Sequence, residues 1–343
     1  MIKPTKLQPG DKVATISLSW GGAGDISHRY MAGKKQLQDT FGLEVVETRN
    51  ALQPSSWIYQ NPEARADDLM EALEDSSIKA IISNIGGEDS IRTLPYIDLS
   101  VIRNNPKIFI GFSDSTITHF CFYKAGVTSF YGTSTLVGFA ENGGMLPYQI
   151  NDIHRTLFSS DLIGQIKPNS DGWTSERLEW NNPNNQSIKR KLEKSGTWRF
   201  LQGNGIHKGE LLGGCLEVLE FLKGTDFWVA PVDWTNKIMF LETSEVKTSP
   251  TNFKWILRNY AASGIFKSIK GLIVARPYDN LYWKEYDAIL LQVIREEEGL
   301  TSLPIIAGMD FGHTCPTFTL PYGVMAEIDA DNNTFSIIEK ATL

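Results

Sequence analysis

The sequence predicts an α/β protein built on parallel sheet, and three observations carry that expectation. From Lys12 to Lys124, short β-branched apolar runs alternate with longer amphipathic stretches, the pattern of βαβ units. Glycine or Asn-Pro punctuates the joins, as at Gly42 and Asn61-Pro62, where helices end or begin. After a polar stretch at Asp161–Gly209, strand and helix signals resume as far as Met309, so a second region with its own sheet follows the first.

The elements follow in order. Lys12–Ser17 reads as a strand and runs into the flexible loop Ser19-Trp20-Gly21-Gly22-Ala23-Gly24. That loop lacks the third glycine of a dinucleotide fingerprint and the lysine of a phosphate loop. Ser27–Phe41 reads as helix, Glu44–Glu47 as strand, and Pro62 to about Ser76 as helix. Ile78–Ser83 is a strand, followed by the loop Asn84–Asp89 and a helical turn from Ser90. Lys107–Gly111 is too short for a helix and rich in β-branched residues, hence a buried strand. Asp114-Ser115-Thr116 supplies cap chemistry for a helix to about Lys124. Tyr148–Phe158 is a further helix. The second region holds helix Cys215–Lys223 opened by Gly213-Gly214, strand Lys237–Leu241, helix Pro250–Ser263 and strand Gly271–Ala275. Helix Trp283–Glu298, strand Pro304–Met309 and a hairpin over Val324–Ile338 complete it. The division falls at 1–160 for an N-terminal α/β domain, 161–208 for a linker and tryptophan-bearing insertion, and 209–343 for a C-terminal domain.

A chain of 343 residues with 41% hydrophobic content suggests about two domains and a sizeable core. Its net charge of −7 argues against nucleic acid or an anionic membrane as partner. Three scattered cysteines, Cys121, Cys215 and Cys315, form neither a disulfide framework nor a metal spacing. The absence of an apolar leader over Met1–Val13 and of any membrane-length run points to a cytoplasmic protein.

Chemistry is expected where strands end, because ligands in such sheets sit beyond the carboxyl ends of the strands. Ser113 lies on the turn between a buried strand and a helix, which lifts its hydroxyl out of the sheet and frees backbone N–H groups at the helix start. The bland alternative is a serine acting only as a helix cap. The Gly86-Gly87 loop ends the neighbouring strand and either offers a second N–H or is a plain tight turn. Glu242 and His313 follow strands of the second region, and His313 alone among five histidines sits in a glycine-bearing loop after a buried strand. A serine needs a base of pKa near neutrality, and an imidazole needs a carboxylate to hold its tautomer. Ser113, His313 and Glu242 satisfy that logic if they meet; otherwise they are a cap, a loop hydrogen-bonder and a salt-bridge partner. Cys315 is a rival nucleophile with no base placed for it. Trp173 and Trp180 either form a stacking wall for a planar ligand or anchor the insertion. No metal-ligand spacing occurs, and no cofactor is expected.

The motifs Gly111-Phe112-Ser113-Asp114, Gly86-Gly87, Leu-Leu-Gly-Gly-Cys-Leu at 211–216, Leu-Glu-Thr-Ser-Glu at 241–245 and Gly-His-Thr at 312–314 occur in an order that resembles the LD-carboxypeptidase family of serine peptidases. The resemblance runs from about Val13 to the C-terminus. It implies a Ser113–His313–Glu242 triad and an oxyanion hole from the backbone of Asp114 and the Gly86-Gly87 loop. It implies a flavodoxin-like (glutamine-amidotransferase-like) N-terminal domain, a β-rich α/β C-terminal domain and a homodimer. Within the family, the insertion over Asp171–Trp180 resembles the microcin C self-immunity branch. That branch, a source of antibiotic resistance, cuts the amide between an aminoacyl or peptidyl group and a nucleotide, and tryptophans stack on the base, a role for Trp173 and Trp180. The alternatives are a murein tetrapeptide LD-carboxypeptidase of cell-wall recycling and a non-catalytic binder of a peptide or nucleotide conjugate. Two departures are Phe112, where many relatives carry Tyr, and Val-Ala-Arg-Pro-Tyr at 274–278.

Overall fold

The computed structural model describes residues 1–194 and 196–343. Fourteen strands form two sheets among these residues: β1 (Lys12–Ile16), β2 (Glu44–Glu47), β3 (Ile78–Ser83), β4 (Ile108–Gly111), β5 (Phe130–Tyr131), β6 (Gly164–Ile166), β7 (Arg199–Gln202), β8 (Ile206–Cys215), β9 (Lys237–Glu242), β10 (Gly271–Ala275), β11 (Ile305–Met309), β12 (Leu320–Pro321), β13 (Met325–Asp329) and β14 (Thr334–Ile337). The first sheet has the order β12-β5-β4-β3-β1-β2. Its pairings are parallel except β12 with β5. The second has the order β6-β14-β13-β8-β9-β10-β11-β7, with β8 to β11 parallel and the flanking pairs antiparallel. The mixed α/β class is as expected, with a parallel-rich first sheet and a β-rich second one.

Burial explains why the central strands read as continuous apolar runs. Ile108, Phe109 and Ile110 of β4 and Ile81 and Ile82 of β3 are buried, because helices cover both faces of such a sheet. Helices Ser27–Phe41 and Pro62–Glu74 end or begin at the punctuation residues; Gly42 takes the left-handed conformation that closes the first.

Three departures from the sequence reading matter for the site. The Gly213-Gly214 pair does not open a helix: it lies inside β8, a ten-residue strand that begins in the polar stretch. A Cβ at Gly213 would sit 1.8 Å from the Phe240 carbonyl oxygen, so β8 and β9 approach where no side chain fits. A Cβ at Gly214 would meet Thr116 at 2.5 Å, and the Cys215 N–H donates to Thr116 Oγ1 at 3.1 Å. The end of β8 is thereby locked onto the helix that follows Ser113. Secondly, β6 and β7 lie within 161–208 yet pair into the second sheet, and β12, from beyond residue 208, pairs with β5 of the first. The sheets therefore cross the sequence boundaries drawn at 160 and 208. Thirdly, Ser55–Gln60 is a short helix whose start touches Gly21. No helix among the described residues is long and apolar enough to cross a membrane.

Candidate active site

The turn after β4 places Ser113 at φ +60°, left-handed backbone that a residue with a Cβ adopts only when its surroundings impose it. Those surroundings are visible. A Cβ at Gly111 would lie 2.7 Å from Ser115 Oγ, and one at Gly86 would lie 2.9 Å from Ser113 Cβ and 3.1 Å from its Oγ. Both glycines let backbone close over the serine. Asp114 does not cap the helix with its side chain. Its fully buried carboxylate accepts from Ser19 Oγ at 2.6 Å and from the Ser90 N–H at 2.8 Å. That ties the loops after β1 and β3 to the turn. Thr116 Oγ1 donates to the Ser113 carbonyl at 2.7 Å.

The three strand-end residues converge. Ser113 Oγ lies 3.0 Å from His313 Nε2, and His313 Nδ1 lies 2.6 Å from Glu242 Oε2. Glu242 is 1% exposed, and Gly312, at φ +84°, lets the chain pass against it: a Cβ there would be 2.8 Å from Glu242 Oε2. The Phe112 ring meets the imidazole edge-on at 5.0 Å between centroids. Burial of His313 disfavours its charged form, but the Glu242 carboxylate, and then that of Glu245, outweigh it and raise its pKa well above the usual range. By contrast His119, fully buried between Ser129 Oγ and the Gly111 carbonyl, is pushed down to about 3 by burial and stays neutral.

Two members of this cluster escape a sequence reading. Tyr131, on β5, accepts from the Ser113 N–H at 3.0 Å and donates from its hydroxyl to Glu242 Oε1 at 2.5 Å. Burial first, then the Glu242 charge, holds its phenol protonated, so it remains a donor. A buried tyrosine in a two-residue strand carries no sequence signal of this role. Tyr131→Phe leaves an N–H and a carboxylate oxygen without partners and is expected to destabilise the protein by about 1–3 kcal/mol. Chemical denaturation checks this, and turnover should fall as Glu242 loosens. The second member, Glu245, places Oε2 3.0 Å from His313 Nε2; its only signal was its place in Leu-Glu-Thr-Ser-Glu.

The backbone N–H groups of Gly87 and Asp114 have no hydrogen-bond partner among the described residues. Asp114 N lies 3.2 Å from the point where a Gly86 Cβ would sit. The Gly86-Gly87 loop and the helix start therefore share one side of the serine. Gly87 has φ +143° and packs on Ser19.

Ser113 stands between two lobes of one cleft. The first is lined by Trp20, Trp180, Arg29, Arg177, Tyr278 and Cys315 among others; the second by Tyr59, Glu88, Asp89, Glu217, Phe221 and Ser244 among others. Trp20 and Trp180 are nearly parallel, 19° apart with centroids 6.4 Å from each other, and Arg29 Cζ lies 4.2 Å from the Trp180 ring centre. Trp20 belonged, in sequence, to a loop read only as flexible. Trp173 does not join this wall. It is 8% exposed, its backbone bridges Glu193, and Arg276 lies 4.8 Å over its ring. Of the two expected stacking residues, Trp180 reaches the cleft and Trp173 anchors the insertion, the bland alternative. Trp173→Ala is expected to cost about 3–5 kcal/mol of stability, read by denaturant midpoint. Cys315 reaches the first lobe, but burial pushes its thiol up, away from a reactive thiolate. Among the described residues no group of three or more His, Cys, Asp or Glu could hold a metal ion.

Comparison with known proteins bears on this geometry. Residues 13–132 match the LD-carboxypeptidase N-terminal domain and residues 208–328 the LD-carboxypeptidase C-terminal domain. The microcin C7 self-immunity protein MccF of Escherichia coli is 26% identical over 97% of this chain and 95% of its own. A structure of MccF in complex with aspartyl sulfamoyl adenosine superposes with a TM-score of 0.84 at 25% identity, covering 100% of both chains. The MccF-like protein of Streptococcus pneumoniae, solved in complex with AMP, is 32% identical with a TM-score of 0.87, covering 95% of this chain and 98% of its own. A probable murein peptide carboxypeptidase of Bacillus subtilis is 24% identical over 98% of this chain and 94% of its own.

Proposed function

Because the chain belongs to the LD-carboxypeptidase family of serine peptidases, we propose that it hydrolyses the amide joining an aminoacyl or peptidyl group to a nucleotide, the activity that resemblance to microcin C self-immunity peptidases implies. One observation carries the choice of substrate: the parallel Trp20–Trp180 pair opens into the lobe beside Ser113. A planar base stacked upon such a ring gains about 1–3 kcal/mol. Arg29, Arg177 and Arg190 line the same lobe and suit a phosphoryl or sulfamoyl link. The complexes of MccF and its pneumococcal relative with nucleoside ligands support this reading.

In the proposed reaction, Ser113 Oγ attacks the amide carbonyl while neutral His313 Nε2 takes its proton. Glu242 holds the Nδ1–H tautomer and stabilises the imidazolium that forms. The N–H groups of Asp114 and Gly87 receive the oxyanion of the tetrahedral intermediate. The imidazolium then gives its proton to the leaving amine, and water hydrolyses the acyl-enzyme by the same steps. A cytoplasmic homodimer that disarms a toxic conjugate, conferring resistance, is the setting this reading implies.

The test is mass spectrometry of products from an aminoacyl-sulfamoyl adenosine and from a murein tetrapeptide. Cleavage of the first and not the second supports the proposal. The reverse favours murein recycling, the reading that the Bacillus subtilis relative supports. Binding of the conjugate without cleavage or fluorophosphonate labelling would make the protein a non-catalytic binder. Trp180→Ala should raise KM for the conjugate about 5–150-fold with little change in kcat, matching a loss of about 1–3 kcal/mol of stacking.

A further inference from the structure

His313 Nε2 has two partners at the same distance: Ser113 Oγ at 3.0 Å and Glu245 Oε2 at 3.0 Å. The Glu245 contact is at ion-pair distance, and it is favourable when Nε2 carries a proton. Nδ1 faces a second carboxylate, Glu242, at 2.6 Å. Flanked by two carboxylates, the imidazole favours its charged form, the one form that cannot take the serine proton. The pairing also holds the Glu245 carboxyl down to about 2, with the His313 hydrogen bond as the main cause. Something must draw Glu245 away before the base can act.

Glu245 is accessible from the cleft. Its side chain is 54% exposed, and it follows β9 in the turn that precedes helix Pro250–Ala262. It borders both lobes of the cleft. The second lobe carries the carboxylates of Glu88, Asp89, Glu217 and Glu245, and among the described residues no lysine or arginine lines it. Of these, Asp89 is neutralised by Arg65 and Arg92. The first lobe differs: it holds Arg29, Arg177 and Arg190 beside Glu176 and Glu245, with Arg190 paired to Glu141. A substrate lying across Ser113 thus meets arginines and carboxylates together on one side, and carboxylates without lysine or arginine on the other.

We propose that Glu245 is a specificity-determining residue that recognises a cationic amine on the acyl part of the substrate, and that in doing so it exchanges His313 for that amine and frees the catalytic base. The inference rests on the reading of Ser113 as a nucleophile toward aminoacyl conjugates. The amine next to the scissile carbonyl is within reach of Glu245 because Glu245 touches the imidazole that touches the nucleophile. The exchange keeps charge balanced: the ammonium replaces the imidazolium as partner of Glu245, and the Nε2 proton leaves to solvent. Neutral Nε2 then accepts the Ser113 proton. The other charged groups around this pair are Glu242, beside Tyr131, on the far side of the imidazole, and Arg177 near Glu245; Tyr278 and Lys247 stand beyond.

Two measurements decide it. The first needs no substrate: the pH dependence of Ser113 labelling by a fluorophosphonate, in which Oγ displaces fluoride from phosphorus. Glu245→Gln should shift the rising limb down by about 1–3 pH units, the size of an opposite-charge effect on an imidazole, with an unchanged Tm because the side chain is exposed. An unmoved limb overturns the proposal, and a protein that labels in neither form overturns the nucleophile reading with it. The second is calorimetry on Ser113→Ala with an aminoacyl-sulfamoyl adenosine and its N-acetyl derivative. The free amine should bind more tightly, and adding Glu245→Gln should remove most of that preference. A preference that survives intact overturns the proposal. If Ser113→Ala binds neither ligand, the nucleotide-conjugate reading and the amine-recognition half of the proposal fall, and labelling alone judges whether Glu245 restrains His313.

Discussion

Ser113→Ala is expected to lower kcat/KM for amide hydrolysis by about 10⁴–10⁶-fold. The hydroxyl is the only atom of that residue placed against His313 Nε2, at 3.0 Å. Without it the imidazole and the backbone N–H groups of Asp114 and Gly87 remain, so the residual rate reports what binding and the proposed oxyanion site do alone. The fold should persist. Ser113 is held by its N–H to Tyr131 and its carbonyl to Thr116, neither of which the substitution touches. Its φ of +60° costs any residue with a Cβ. Ser113→Gly should therefore be as inactive as the alanine variant but more stable than it, by about 1 kcal/mol, because glycine enters that conformation freely. Kinetics with a sulfamoyl conjugate and thermal melts of both variants check this. Retained turnover in either one removes Ser113 from the reaction.

Glu242→Gln is expected to lower kcat by about 10⁴-fold with little change in KM, the size of effect seen when a triad carboxylate becomes an amide. The two oxygens of Glu242 have different duties: Oε1 accepts from the Tyr131 hydroxyl at 2.5 Å and Oε2 faces His313 Nδ1 at 2.6 Å. A glutamine has one acceptor. If its oxygen stays with Tyr131, its NH₂ faces Nδ1 and favours the tautomer protonated on Nε2, which cannot take the serine proton. If it turns round, the imidazole keeps its tautomer, but the NH₂ meets the Tyr131 hydroxyl and the imidazolium loses its counter-charge. Both arrangements fail. Steady-state kinetics separates this from Trp180→Ala, where the change is expected in KM.

Some of this was legible one residue at a time. The turn at Ser113 announces itself through Ile108–Ile110, Gly111 and the helix beyond, and β4 indeed ends at Gly111. Glu242 and His313 were legible because the first closes a buried strand and the second lies in the loop that follows one. Trp173 misled for a physical reason: a tryptophan in a polar stretch looks exposed, but Arg276, distant in sequence, covers its ring. The β8 strand was hidden because Gly213 and Gly214 mimic a turn. Only neighbours distant in sequence, the β9 backbone at Gly213 and Thr116 at Gly214, require glycine there.

Local pattern alone specifies the α/β class, the positions of most helices and central strands, and the residue types available for an acyl transfer. Those are local properties: hydrophobic period, β-branching, caps and glycine breaks act within a few residues. Which of those groups meet depends on packing between distant segments. Ser113 and His313 lie 200 positions apart, and their distance is set by how two sheets dock through Gly214 and Thr116, not by any feature near either. The same holds for Tyr131 beneath Glu242, Trp20 facing Trp180, and Glu245 against the base: side chains on separate segments, placed together by packing that no local pattern encodes.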